Sequence, residues 1–249
     1  MTRPPAREPA GSGAVAHVFV AALDDDLLVD GADGHHLQRV RRLAPGEIVT
    51  AADGTGAWRR YEVSDARKGS IALAASGAVE QAPFPAVGVA LAVALTKGGL
   101  DDVVAAVTEL GAVRVIPVRT ARAVVRWDQT RAERAVHRLR AVAREAAMQS
   151  RRARVPAVDD VADLAGLVGR PGLVVTDREG VAASALPRPE AGAEWTVLVG
   201  PEGGLAPEEL AALSGHPRLS LGAHVLRAST APIAAVAVLV AETSRLLQE

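Results

Sequence analysis

From residue 87 onward the chain carries a series of unbroken apolar runs: VGVALAVAL (87–95), VRVIPV (113–118), LVVTD (173–177) and WTVLVG (195–200). A strand that shows one face to water alternates in polarity, whereas one that is apolar at every position must be covered on both faces, as in a parallel sheet between layers of helices. The intervening stretches have helical signals. Asp101 or Asp102 can open a helix through VVAAVTEL that Gly111 closes, Thr130 to about Ser150 is a long Arg-rich amphipathic stretch, and Thr230 to Leu247 is apolar nearly all round until Glu242. LSLG (219–222) adds a short strand. Residues 86–249 therefore read as an α/β domain. The last helix must be covered on most faces, by the domain core or by a second subunit.

Upstream the rhythm is different. HVFVA, EIVTAAD, RRYEVSDA and SIALAAS are short strand-like pieces separated by Gly, Pro and Asp, with a short helical piece from His35 to Leu43. Residues 15–80 are thus expected to form a small β-barrel, joined by QAPFP (81–85) to the second domain. Residues 1–14, rich in Pro and Gly and lacking an apolar segment, are expected to be a disordered leader, and no stretch is long and apolar enough to span a membrane. A cytoplasmic location follows as an expectation. The chain has no cysteine, which removes disulfides, thiolate metal sites and cysteine nucleophiles. His35 and His36 are adjacent and have no evident third ligand, so no metal is expected.

The formal net charge is -1, but charge is unevenly distributed. Between Arg131 and Arg154 stand eight arginines against Glu133 and Glu145, and Arg39, Arg41 and Arg42 form a smaller group. Each cluster alone fits a solvated face; two of them favour a polyanionic partner. Aromatic residues make up only 2% of the chain, too few for a base-stacking platform, so contacts to a nucleic acid would be mainly ionic. The sequence contains no G-x-x-x-x-G-K-[ST], no intact G-x-G-x-x-G after a strand, no H-E-x-x-H and no G-x-S-x-G.

What remains is concentrated at three strand ends: LVVTDREG, VLVGPEGG and LSLGAHVLRASTAP. In open α/β sheets ligands gather beyond the carboxyl ends of the strands, and glycine there lets backbone come close to them. Pro207, Glu208 and Glu209 mark the start of a supporting helix.

GPEGG before a helix, followed by Leu221-Gly222-x-x-Val225-Leu226-Arg227-x-x-Thr230-Ala231, resembles the bacterial 16S ribosomal RNA uracil-N3 methyltransferases, the RsmE family of the SPOUT superfamily. The likeness extends to Lys97, Thr108-Glu109-Leu110-Gly111, Ile116-Pro117, Arg122 and Arg138. It also covers Glu145-Ala146-x-x-Gln149-Ser150-x-Arg152-x-x-Val155-Pro156, and upstream His36-Leu37-x-x-Val40 with Arg42 and Gly46-Glu47. The match runs in order over about residues 17 to 245. Departures include Ser229, where the family often has Glu, and Arg41, where many members have Leu.

The resemblance implies a PUA-like N-terminal barrel, a C-terminal domain with a deep trefoil knot, a homodimer, and S-adenosylmethionine as methyl donor. It implies 16S ribosomal RNA as substrate, within small-subunit particles. The cofactor would be enclosed by Val175, Thr176 and Asp177, by Gly200, Pro201, Glu202, Gly203 and Gly204, and by Leu221, Gly222, Val225, Leu226, Arg227 and Thr230. Arg152 matches the motif arginine and would be catalytic. Arg39, Arg41, Arg42, Arg122, Arg138 and Gln149 would contact RNA. No general base is marked by the sequence. Two other readings stay open: a non-catalytic RNA-binding assembly factor, and a SPOUT enzyme acting on a different RNA.

Overall fold

The computed structural model describes residues 8–35, 37–38, 42–190 and 192–246. The chain divides into two compact units, Met1–Phe84 with Ala147–Val155, and Pro85–Ala146 with Pro156–Glu249.

The first unit holds β1 (Ala16–Phe19), β2 (Asp26–Val29), the short helix α1 (Gly31–His35), β3 (Ile48–Ala52), β4 (Ala57–Arg67), β5 (Ser70–Ala75) and β6 (Glu80–Gln81). The four expected strand-like pieces fall on β1, β3, β4 and β5, while β2 and β6 are additional. The helix ends where the expected His35–Leu43 begins, and part of that stretch lies outside the described residues. The strands build a six-stranded sheet in the order β1-β3-β4-β5-β2, with β6 paired to β4. β1 and β3 are parallel and the other pairs antiparallel. Side chains alternate across a strand, and here both faces are used. Val18, Ala51 and Tyr61 enter one cluster; Phe19, Ala52 and Trp58 enter another, which is completed by Ala147 and Ala153. The segment 147–155 is thus part of this unit, although in sequence it lies inside the expected second domain.

The expected disordered leader also differs. Its first seven residues lie outside the described residues, but Pro9–Ser12 forms a single 3-10 turn ending at Gly13 with φ 75°, and Pro9 and Ala14 are buried. A proline sets the first φ and a glycine supplies the left-handed exit.

The second unit realises the alternation of apolar runs and helices. Its elements are β7 (Gly88–Ala94), α2 (Leu100–Leu110), β8 (Arg114–Arg119), α3 (Gln129–Gln149), β9 (Ala157–Val158), β10 (Ala162–Asp163), β11 (Leu173–Val181), β12 (Glu194–Val199), α4 (Pro207–Ala212), β13 (Arg218–Leu219) and α5 (Ala231–Leu246). The last turn of α3 falls in the first unit. The sheet runs β10-β8-β7-β12-β11-β13, with β9 also on β8, and all its pairs are parallel. β7 is buried at every position. α2 begins with Asp101 and Asp102, which suit the positive end of the helix dipole, and ends at Gly111 with φ 109°. α5 lies on α2, β7 and β12 and buries Ala235, Val236 and Leu239, while Val238 stays 39% exposed. Much of the cover that its sequence demands is therefore intramolecular.

β12 follows β7 in the sheet, with β11 and β13 beyond it, so the carboxyl ends of these three parallel strands, β12, β11 and β13, lie side by side, where ligands of open α/β sheets gather. Gly172, just before β11, has φ 71°, and a Cβ there would lie 2.3 Å from the carbonyl oxygen of Glu194. The clash is with backbone that pairs β11 to β12, since Gly172 O accepts from Thr196 N at 2.9 Å. Gly172→Ala is expected to cost about 3 kcal/mol, from left-handed strain plus displaced strands. A urea midpoint unchanged within error would contradict this.

Candidate functional site

A cleft of about 430 Å³ lies beyond the carboxyl ends of β11, β12 and β13. Its first wall comes from β11. Thr176 Oγ1 donates to Leu198 O at 3.1 Å, which ties this strand end to β12. The pairing with β13 then slips between Thr176 and Val181, so residues 177–180 bulge outward. Gly180 makes the bulge possible, because a Cβ there would sit 2.6 Å from Arg218 O. Asp177 at the head of the bulge accepts from Glu179 N at 3.0 Å and pairs with Arg218. The Glu179 amide first, and then Arg218, hold its carboxyl below the usual aspartate range. Asp177 is therefore an anion at neutral pH.

The second wall is GPEGG. Gly204 N donates to Pro201 O at 2.9 Å, closing a β-turn whose last residue has φ 69°. Pro201 is buried while Glu202 is exposed. Gly204 alone of this stretch needs positive φ. Gly203 instead faces Arg122: a Cβ would meet Arg122 O at 3.6 Å, and Arg122 Nη1 donates to Gly203 O at 3.3 Å. Glu209 accepts from Ala206 N and from Ala121 N, both at 2.8 Å, and so laces residue 121 to the start of α4. Its supporting role is that of a helix-start carboxylate.

The third wall is the loop 221–228, in which Gly222 has φ 107°. It closes onto α5 through Thr230 N and Ala231 N, each donating to Arg227 O at 2.9 Å. Val225 is 79% exposed, an apolar side chain held open at the cleft.

Of the residues expected around a cofactor, Val175, Thr176 and Asp177 line the cleft, as do Gly200, Pro201, Glu202 and Gly204, and Leu221, Gly222, Val225 and Leu226. Gly203, Arg227 and Thr230 are adjacent in sequence but do not line it. His224, within the expected stretch 221–227, lines it too, whereas Arg178, Arg218, Leu205 and Leu210, which also do, were not expected. Sequence reasoning looked for glycine and for carboxylates, and the apolar floor gives no local signal beyond lying next to GPEGG.

The expected catalytic and RNA-contacting residues are placed differently. Arg152 belongs to the first unit, whereas the cleft belongs to the second. At the end of α3, Arg151 has φ 56°; Arg151 N donates to Met148 O and Arg152 N to Ala147 O. That is a Schellman motif with arginine where glycine is usual. The guanidinium of Arg151 donates to Ala14 O at 2.5 Å and Val15 O at 3.2 Å. Arg154 donates to Thr55 O and Ala82 O and lies over the Phe84 ring at 5.4 Å. Between them Arg152 is partly buried. Desolvation lowers its pKa, and the Glu8 carboxylate, which accepts from Ala153 N at 3.3 Å, opposes that shift.

The arginine excess is thus partly taken up by bonds within the chain, some of them at its surface. Arg138 pairs with Asp101 at 3.2 Å, and Arg140 with Asp160 at 3.0 Å and with Val158 O. Arg42 and Gln149 are exposed, and Arg39 and Arg41 lie outside the described residues. Among the described residues no three metal-ligating side chains stand together, and no helix is long and apolar enough to cross a membrane.

Two family models match the chain: an RNA methyltransferase domain over residues 83–240 and an RNA methyltransferase PUA domain over residues 29–74. The chain is 37% identical over 238 residues to a ribosomal RNA small subunit methyltransferase E of Mycobacterium bovis, covering 88% of this chain and 87% of that one. It is 30% identical to the protein of that name from Bacillus subtilis, covering 88% and 91%. A crystal structure of ribosomal RNA small subunit methyltransferase E from Neisseria gonorrhoeae, bound to S-adenosyl methionine, has the same fold: TM-score 0.77, 22% identity, 93% of this chain and 97% of that one. So does a Legionella pneumophila protein solved with the same cofactor, with TM-score 0.78 and 24% identity over 91% and 97%.

Proposed function

The chain belongs to the ribosomal RNA small subunit methyltransferase E family, and on that premise we propose that it transfers the methyl group of S-adenosylmethionine to N3 of a uridine in 16S ribosomal RNA. The observation that carries this reading is the convergence of three separate strand ends, at 175–177, 200–204 and 221–226, on one cleft. Its volume suits a cofactor-sized ligand. The residues fit the cofactor: Leu205, Leu210 and Val225 offer apolar surface, and Asp177 and Glu202 offer carboxylates for hydroxyl, amino or sulfonium groups. When bound, S-adenosylmethionine supplies an electrophilic methyl group on a sulfonium.

N3 of uridine must lose its proton to react, and the negative charge then spreads to O2 and O4. A guanidinium directed at those oxygens favours the reacting form, and Arg152 is the candidate. Arg42, Arg122, Arg138 and Gln149, with Arg39 and Arg41, are candidates for holding the RNA; phosphate contacts of this kind position a substrate without reading its sequence. The family further supports a PUA-like barrel, a trefoil knot around the cofactor loops, a homodimer, small-subunit particles as substrate, and a cytoplasmic setting.

Isothermal titration with S-adenosylmethionine tests the cleft. One site per chain is expected. Gly204→Val, which forces a β-branched residue to φ near 69°, should weaken binding by about ten-fold or more. Absence of binding to the unaltered protein would favour a non-catalytic RNA-binding factor.

A further inference from the structure

His17 is the one buried histidine among the described residues, 4% exposed, on β1 within the otherwise apolar run HVFVA. An apolar side chain would pack there without a desolvation cost, and a buried imidazole is tolerated only with its polar atoms satisfied. Both ring nitrogens are used. Nε2 lies 3.1 Å from Arg152 O, and Nδ1 lies 2.8 Å from Thr50 Oγ1. A carbonyl can only accept, so in the neutral ring Nε2 carries the hydrogen and Nδ1 accepts from the Thr50 hydroxyl, whose other acceptor, Ala16 O, lies farther off at 3.4 Å. Phe19 sets the edge of the ring, with centroids 5.2 Å apart.

The bond reaches across 135 residues of chain to the backbone of Arg152 itself. Arg151 and Arg154 fasten the residues on either side to backbone carbonyls, and Val155 N donates to Gly54 O at 3.0 Å. The segment is thus anchored on both sides of Arg152, and His17 supplies the anchor at Arg152. A histidine serves here because it is a neutral donor whose second nitrogen can be locked by Thr50.

We infer that His17 is a positioning residue for catalysis: through the carbonyl of Arg152, with Thr50 behind it, it fixes where the Arg152 guanidinium is presented. This rests on the reading of Arg152 as the group that stabilises the reacting uracil. A reacting group displaced by about 1 Å loses on the order of 100-fold in rate. His17 therefore matters for turnover and not for substrate affinity.

The test is a double-mutant cycle on the full chain with S-adenosylmethionine and small-subunit particles. His17→Phe keeps the ring and removes both hydrogen bonds. It should lower kcat by about ten-fold or more, leaving KM for the particles and cofactor affinity within about two-fold. His17→Gln, which can still donate to Arg152 O, should recover most of the rate. In an Arg152→Ala background, His17→Phe should cost nothing further. The inference is overturned if His17→Phe costs the same factor with or without Arg152, or if it raises KM at constant kcat. Should Arg152→Ala itself turn over at the unaltered rate, the assignment of Arg152 fails, and the positioning role with it. If His17→Phe does not fold, Thr50→Val carries the same comparison, since it removes the support behind the ring.

Discussion

Arg152→Ala is expected to lower the methylation rate by about two to three orders of magnitude, the range seen when one preorganised donor to a developing oxyanion is removed. RNA affinity at fixed salt should change by no more than about three-fold. The asymmetry follows from burial and surroundings. Arg152 is partly buried, with Glu8 the carboxylate acting on its charge, so it is poorly placed to act as one more surface cation. A phosphate contact contributes to ground-state and transition-state binding alike, and its loss lowers rate and affinity together. Single-turnover methylation and filter binding, measured in parallel, separate the two. Equal losses would make Arg152 a phosphate contact. Arg151 and Arg154 are the informative controls: their guanidinium groups are committed to Ala14, Val15, Thr55 and Ala82 carbonyls, so their replacement should lower stability.

The second large effect is on stability in mild acid. Burial lowers the pKa of His17 to about 4 from the ordinary 6.5, and the charge of Arg151 adds to the shift. Facing the ring are the Thr50 hydroxyl, the Arg152 carbonyl, the Phe19 edge and the Arg151 guanidinium. Below pH 6.5 the unfolded chain takes up a proton that the folded one refuses, so stability falls as pH falls, and the loss levels off below about pH 4. Between pH 7 and pH 4 the cost is about 3 kcal/mol. Asp53 and Asp177 have depressed pKa values, and their contributions are lost only as pH falls through their folded values, below the ordinary aspartate 3.8, so their window lies under that of His17. In urea denaturation, His17→Phe should remove this dependence, and the stability difference between the two proteins should shift by about 3 kcal/mol across the window. A difference independent of pH would show that the ring is not buried neutral.

Parallel strands were legible because they are buried on both faces: VGVALAVAL and WTVLVG admit no other half-exposed pattern, and they became β7 and β12. The loops at their ends were legible because glycine is a local signal, and Gly204 and Gly222 do adopt positive φ. β9 and β10 are two residues long and are defined by their neighbours in the sheet, which the sequence does not display, while the short strand expected at LSLG overlaps β13 only at Leu219. The place of 147–155 was equally hidden. Ala147 and Ala153 read as ordinary small residues at a helix end, and only the sheet with Trp58 and Phe19 shows that they close its second face. The arginine cluster suggested a nucleic-acid surface because charge counts do not distinguish a guanidinium facing solvent from one capping backbone carbonyls. His17 looked like one more residue of a strand, and its partners lie at positions 50 and 152.

Methyl transfer to one base of one RNA is directly measurable. Small ribosomal particles from cells lacking the modification, incubated with the protein and S-adenosylmethionine and then mapped by mass, should gain one methyl group on N3 of a single uridine of 16S ribosomal RNA. No gain, or a methyl group on a ribose or on another base, would contradict the account.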